Sequence, residues 1–191
     1  MKFKIVLAAL MLAPGLATAQ EFDQQQLQEL LGNNNIRWAR HMGFNPQIVR
    51  AVETQNAVEL TLDEIKRRDQ EWRQADPASS MLIQEVTQNE VARYFRRRVE
   101  DNPSIFEVFL TDNQGANVAA YPPTSDYWQG DEEKFSNAWN GGQGQLFIGP
   151  PEFDESTNKT QIQISTPVIS GYQTVGVLVM GVAVDALISD E

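Results

Sequence analysis

Leu27, Leu30 and Leu31, and later Ile48, Val49 and Val52, recur at helical spacing, while Gly32-Asn33-Asn34-Asn35 and Asn45-Pro46 break the pattern into short helices. Thr61 stands three residues before Glu64 and precedes Leu62, Ile65 and Trp72, which predicts a capped amphipathic helix ending at Asp76-Pro77. From Ser79 or Ser80, the positions Leu82, Ile83, Val86, Val91 and Phe95 draw one further apolar stripe to about Val99. Beyond Asn102-Pro103 the period becomes two. Phe106, Val108 and Leu110 alternate with Glu107 and Phe109, Asp112-Asn113-Gln114-Gly115 turns the chain, and Val118 to Tyr121 returns as a β-hairpin. Phe135 and Trp139 share one face of a short helix. Leu146 to Gly149 reads as a short strand, Pro150 to Lys159 as a polar loop, and Gln161 to Ile169 as an alternating strand. Thr174 to Val184 is a nearly continuous apolar run, the mark of a strand buried on both faces. Helices first and strands second predict an α+β domain, with an antiparallel sheet of about five strands carrying the helices on one face.

The N-terminus departs from this pattern. Lys2 and Lys4 precede an apolar run from Ile5 to about Leu16 and the small triplet Ala17-Thr18-Ala19, the order of a cleavable secretory signal. Residues 1–19 are therefore set apart as a signal peptide, and export to the periplasm is expected. No Cys follows the run, which excludes a lipid anchor there. Without Lys2 and Lys4, 13 basic residues face 26 acids, a net charge of −13. That balance disfavours nucleic acid and anionic membrane as partners. The absence of cysteine removes disulfides, thiolate metal sites and thiol nucleophiles.

Catalytic chemistry is sparse. His41 is the sole histidine, and neither a nucleophile elbow, a zinc-protease motif nor a phosphate-cradling loop occurs. The stretch TSDYWQGDEE carries the densest chemistry. Asp126, Asp131, Glu132 and Glu133, and Asp154 with Glu155 in the later loop, could pair as hydrolytic carboxylates or ligate calcium, but no regular calcium loop is present. A pocket fits the composition better: Tyr127 and Trp128 offer contact area, and Asp126 and Gln129 offer polar selection. The plainer alternative has Trp128 plugging the sheet while the acids cap turns. The Arg93, Arg96, Arg97 and Arg98 cluster reads as a solvated helix end, with anion binding as the alternative.

The run VFLTDNQGANVAAYPPTSDYWQGDEEKF, then GQGQLFIGPPEFDEST and QIQISTPVISGYQTVGVLVMGVAVDAL, resembles the PAS-like extracytoplasmic sensor domains of the Cache (PDC) family over roughly residues 80–188. The resemblance implies a central antiparallel sheet, a packed N-terminal helix and a small ligand between the sheet and its covering loops. On that basis the ligand contacts are Asp126, Tyr127, Trp128, Gln129, Phe153, Asp154, Ser156 and Gln163, with Ser165 a further candidate, and no cofactor or metal is expected. Residues 20–78 form the helical segment and 79–191 the sensor core of one domain. With a cleavable signal and an end at Glu191, the chain resembles the stand-alone secreted members. These would pass their ligand state to a separate membrane receptor such as a histidine kinase, or pair as a homodimer. A ligand-free docking module and a carboxylate hydrolase are the other classes left open.

Overall fold

The computed structural model describes residues 24–154 and 159–184, so the expected signal peptide (1–19) and Ser156 lie outside the described residues. Helix α1 (Gln24–Met42) runs unbroken through Gly32-Asn33-Asn34-Asn35, where the sequence pattern predicts a break. Burial of Leu31, Ile36, Ala39 and Met42 along one stripe outweighs a glycine penalty of about 1 kcal/mol. Asn35 also turns its amide back to the Leu31 carbonyl at 3.3 Å. Asn45 caps α2 (Pro46–Asn56), with Pro46 at the first turn. Thr61 caps α3 (Leu62–Gln74) as expected, its hydroxyl accepting the Glu64 N–H at 3.2 Å. The Glu64 carboxylate does not close the reciprocal half of a capping box. It pairs with Arg67 at 2.8 Å and Arg68 at 3.2 Å, and these guanidiniums, Arg67 foremost, lower its pKa to about 2.

The stripe expected to form one helix from Ser80 to Val99 is two, α4 (Met81–Gln88) and α5 (Glu90–Asp101), divided at Asn89. That side chain serves both helices: its amide donates to the Glu85 and Val118 carbonyls at 2.9 Å each, while its oxygen accepts the Ala92 N–H at 2.9 Å. A residue able to end one helix and cap the next stabilises the break.

Strands β1 (Ile105–Thr111), β2 (Asn117–Tyr121), β3 (Phe147–Ile148), β4 (Glu152–Asp154), β5 (Lys159–Ser170) and β6 (Gln173–Ala183) form one antiparallel sheet, ordered β2-β1-β6-β5-β3, with β4 also paired to β5. The α+β class is the expected one. The sixth strand arises where the sequence predicts only a polar loop, because Glu152 to Asp154 find partners in Gln161 to Lys159. Strand β6 lies between β1 and β5, which explains its continuous apolar run.

Alternation along the strands divides the core. Val108, Leu110, Ile162, Ile164, Leu178, Met180 and Val182 pack with the buried stripes of α1, α2 and α5. Phe109, Val177 and Val179 face the other way and pack with Ile65 and Trp72 of α3, Ile83 and Val86 of α4, Tyr127, and Phe135 of α6 (Glu133–Trp139). The helices expected on one face are thus distributed over both. The stripe of α3 reaches the second face because it packs on Tyr127, which a loop brings there. Among the described residues no helix is long and apolar enough to cross a membrane.

The β1–β2 turn is fixed by Asp112. One carboxylate oxygen accepts the N–H groups of Gln114 and Ala116 at 2.9 Å each, and the other accepts the Gln55 amide of α2 at 2.9 Å. Burial pushes the Asp112 carboxyl above its ordinary range despite these donors. A raised carboxyl binds its proton more tightly in the folded chain, so its contribution to stability falls as pH rises from the ordinary carboxylate value through the folded value, and is flat above. Asp112→Asn is therefore expected to gain on the wild type as pH rises across that window. Urea denaturation at pH 4 and pH 7 checks this, and a difference independent of pH would contradict it.

Candidate ligand-binding site

Three anchors fold the 124–130 stretch against the hairpin. Its backbone runs beside β2, with the Asn117 N–H donating to the Tyr127 carbonyl at 2.9 Å and the Gln129 N–H to the Gly115 carbonyl at 2.8 Å. Asp69 of α3 accepts the backbone N–H groups of Tyr127 and Trp128 on one oxygen, at 2.9 and 3.1 Å, and holds Arg73 on the other at 2.8 Å. Trp72, one turn of chain away, donates its indole N–H to the Thr124 carbonyl at 2.8 Å and packs its ring 5.9 Å from that of Tyr127.

Most polar atoms of the stretch are consequently engaged inside the protein. Tyr127 and Gln129 are each 1% exposed. The Gln129 amide donates to the Asp126 carbonyl at 3.1 Å and to the Asp126 carboxylate. Trp128 is half-buried, its indole N–H bonded to the Gln114 carbonyl at 2.8 Å and its ring already faced by the Lys66 ammonium at 5.3 Å from the centroid. Asp126 is half-buried beside Arg73, at 3.6 Å. Burial raises its pKa and the Asp69 charge adds to that, while Arg73 and Lys134 oppose it.

Gln163 sits elsewhere, in a cavity of about 340 Å³ lined by Glu132, Glu133, Lys134, Phe147, Gly149, Pro150, Glu152, Gln161 and Gln163. The floor is β5, where Gln163 donates its amide to Glu107 of β1 at 3.0 Å. One wall is the start of α6 and the other is the β3–β4 segment. Two residues along β5 on the same face as Gln163, Ser165 is fully buried and its hydroxyl finds no hydrogen-bond partner among the described residues. Lys134 reaches over the Phe109 ring at 5.6 Å, and its influence on Asp126 links the cavity electrostatically to the TSDYWQG loop. Phe153 stands at the outer edge on β4, 61% exposed, and Asp154 pairs in register with Lys159. Sequence reasoning singled out Gln163 but missed Lys134, Glu152 and Gln161 as companions, because only the β4–β5 pairing brings Glu152 across from Gln161.

A larger groove of about 660 Å³ lies between α2, α3 and the α4–α5 junction. Its Gln55 and Asn89 amides are committed to the hairpin turn, to helix capping and to the β2 carbonyl of Val118. In the smaller cavity the carboxylates of Glu132, Glu133 and Glu152 form no ion pair with any described residue. That cavity therefore has the greater capacity for a polar ligand: three acids attract positive charge, Lys134 offers one cationic donor to an anionic group, and the two glutamines supply donors and acceptors. His41 is exposed on α1, whose stripe packs on the opposite face of the sheet, so it joins no carboxylate of this cavity. Among the described residues no cluster of three or more His, Cys, Asp or Glu side chains is arranged to hold a metal ion.

No family profile matches the chain, and no curated protein does. Among solved structures, the chain is similar to the ligand-binding domain of the Pseudomonas aeruginosa PAO1 amino-acid chemoreceptor PctC in complex with GABA, at 15% identity over 83% of this chain and 64% of that one, with a TM-score of 0.42. The sensor domain of the Vibrio cholerae histidine kinase DctB is similar at 14% identity over 85% of this chain and 57% of that one, with a TM-score of 0.41. The sensory domain of the Campylobacter jejuni chemoreceptor Tlp3 is similar at 12% identity over 86% of this chain and 66% of that one, with a TM-score of 0.41. The chain thus spans less than two thirds of each of these three domains.

Proposed function

We propose that the protein is a periplasmic small-molecule sensor that binds a polar metabolite of the amine, amino-acid or carboxylate class in the cavity on β5 and hands its ligand state to a membrane receptor. The observation that carries this reading is the cavity itself, with three carboxylates that form no ion pair with a described residue, one ammonium and two glutamine amides around about 340 Å³. Gln163 and Lys134 make the direct contacts. Asp126, Tyr127, Trp128 and Gln129 form the rigid wall behind Lys134, while Phe153 and the β4 strand supply the cover; Ser156, outside the described residues, is a further candidate contact.

Thermal-shift screening of the purified chain against amines, amino acids and carboxylates tests the reading. A ligand at about 100 times its dissociation constant stabilises by roughly 2.7 kcal/mol, which for a chain of this size raises Tm by about 5–10 °C. Glu133→Gln with Gln163→Leu is expected to abolish that shift and leave the unliganded Tm nearly unchanged, since Glu133 is exposed and Gln163 half-buried. Failure of every compound to stabilise the wild type would remove the proposal.

One observation favours the second reading, a docking module without a small ligand: Tyr127 and Gln129 are buried and bonded internally rather than presented to a cavity. Under that reading Trp128→Ala lowers stability without altering any ligand response.

A further inference from the structure

Helices α1 and α5 lie side by side and antiparallel on one face of the sheet, Trp38 against Arg98 and Met42 against Tyr94. The Arg98 guanidinium sits 4.8 Å from the Trp38 ring centroid and the Arg97 guanidinium 6.0 Å from that of Tyr94. Between residues 34 and 45 of the first helix and its exit, and between 91 and 99 of the second, there is no acid at all, while Arg37, Arg40, Arg93, Arg96, Arg97 and Arg98 fall within these two runs. These two runs thus carry six arginines and no acid in a chain whose formal net charge is −11.

Within these runs Arg96 is paired with Glu100, and on α3 Arg67, Arg68 and Arg73 are paired with acids of their own helix. Arg37 and Arg97 are exposed, and neither has an ion pair with any described residue. Arg98 is half-buried, and its Nε is fully enclosed with no acceptor. Guanidiniums laid over Trp and Tyr rings are rigid, partly desolvated and still able to take a bidentate carboxylate on their outer edge. Trp, Tyr and Arg are also the residue types that dominate protein–protein hot spots.

We propose that the seam formed by Arg37, Trp38, Tyr94, Arg97 and Arg98 is a docking surface for an acidic polypeptide. The inference stands apart from the cavity on β5, because it uses the opposite face of the sheet. Charge complementarity selects the occupant. The same face of a second copy would be repelled. An anionic lipid surface would attract the seam but repel the rest of the chain, and insertion needs a broad apolar face, whereas Phe44 is the one large exposed apolar side chain among the described residues of α1, α5 and the turn after α1.

The test is fluorescence anisotropy of labelled poly-L-glutamate with the purified chain at low ionic strength and with added NaCl. Phosphatidylglycerol vesicles and sedimentation velocity serve as parallel arms. The wild type is expected to bind the polymer, with binding weakened by salt. Arg37→Glu with Arg97→Glu is expected to weaken it about tenfold or more, equivalent to roughly 1.4 kcal/mol. Arg50→Glu with Arg67→Glu, the same change in charge away from the seam, should retain most of the affinity. Circular dichroism melting confirms that the exposed substitutions leave the fold intact. Equal loss in both double variants, no binding of the polymer, binding to vesicles alone, or self-association that the seam variant abolishes would each overturn the proposal.

Discussion

Asp69→Ala is expected to lower the unfolding free energy by about 3–4 kcal/mol, and Tm by about 10 °C. One carboxylate oxygen accepts two backbone N–H groups from a loop 58 and 59 residues away in sequence, and the other holds Arg73. Alanine leaves both donors enclosed without a partner, each at a cost of about 1–3 kcal/mol. Arg73 contributes less, because it is half-exposed and its pairing is screened by solvent. Asp69→Asn should cost less than alanine, since its remaining oxygen can still accept from Tyr127 and Trp128. Chemical denaturation checks the ordering, and a loss below about 1 kcal/mol for alanine would show that the loop is held mainly by the packing of Tyr127 on Trp72.

Gly115→Ala is the second large effect, expected at about 3–5 kcal/mol. Gly115 adopts φ +85°, a region that L side chains rarely occupy, and an added Cβ would lie 2.5 Å from both Cα and N of Gly130. Strain at the turn accounts for about 1–3 kcal/mol of the loss and the backbone collision for the remainder. The control is Gly171→Ala in the β5–β6 turn, with φ +60° but nothing within 4 Å of the added carbon, where the expected cost is about 1 kcal/mol. The difference between the two variants measures the close crossing of the hairpin turn and the TSDYWQG loop. Equal losses would mean that the crossing contributes nothing.

That crossing also shows what the sequence makes legible. The hairpin, its Asp112 to Gly115 turn, the Thr61 cap, the Phe135–Trp139 face and the buried β6 run all depend on contacts within a few residues or on simple alternation. They are present as read, with the Phe135 and Trp139 rings stacked at 5.9 Å. The course of α1 through Gly32 and the division at Asn89 depend on partners supplied by the sheet, the second on the Val118 carbonyl 29 residues away. Local pattern carries no trace of either.

The site divides in the same way. Chemistry marked out TSDYWQG, but whether Tyr127 and Gln129 point toward a ligand or into the core is decided by Asp69, a lone acid on the buried Ile65–Trp72 face of α3. Gln163 was legible as the polar side of an alternating strand. Its companions Lys134 and Glu152 were not, because the β5 floor gathers them from three segments.

Nuclear magnetic resonance mapping on isotope-labelled protein tests whether the ligand binds in the cavity on β5. The compound that gives the largest thermal shift is titrated in, and the perturbed backbone amides are assigned. The largest changes are expected on Lys134, Gly149, Gln161 and Gln163, and they are expected to vanish in the Glu133→Gln, Gln163→Leu chain. Changes concentrated instead on Gln47, Arg50 and Val91, which line the groove beside α2, would contradict it.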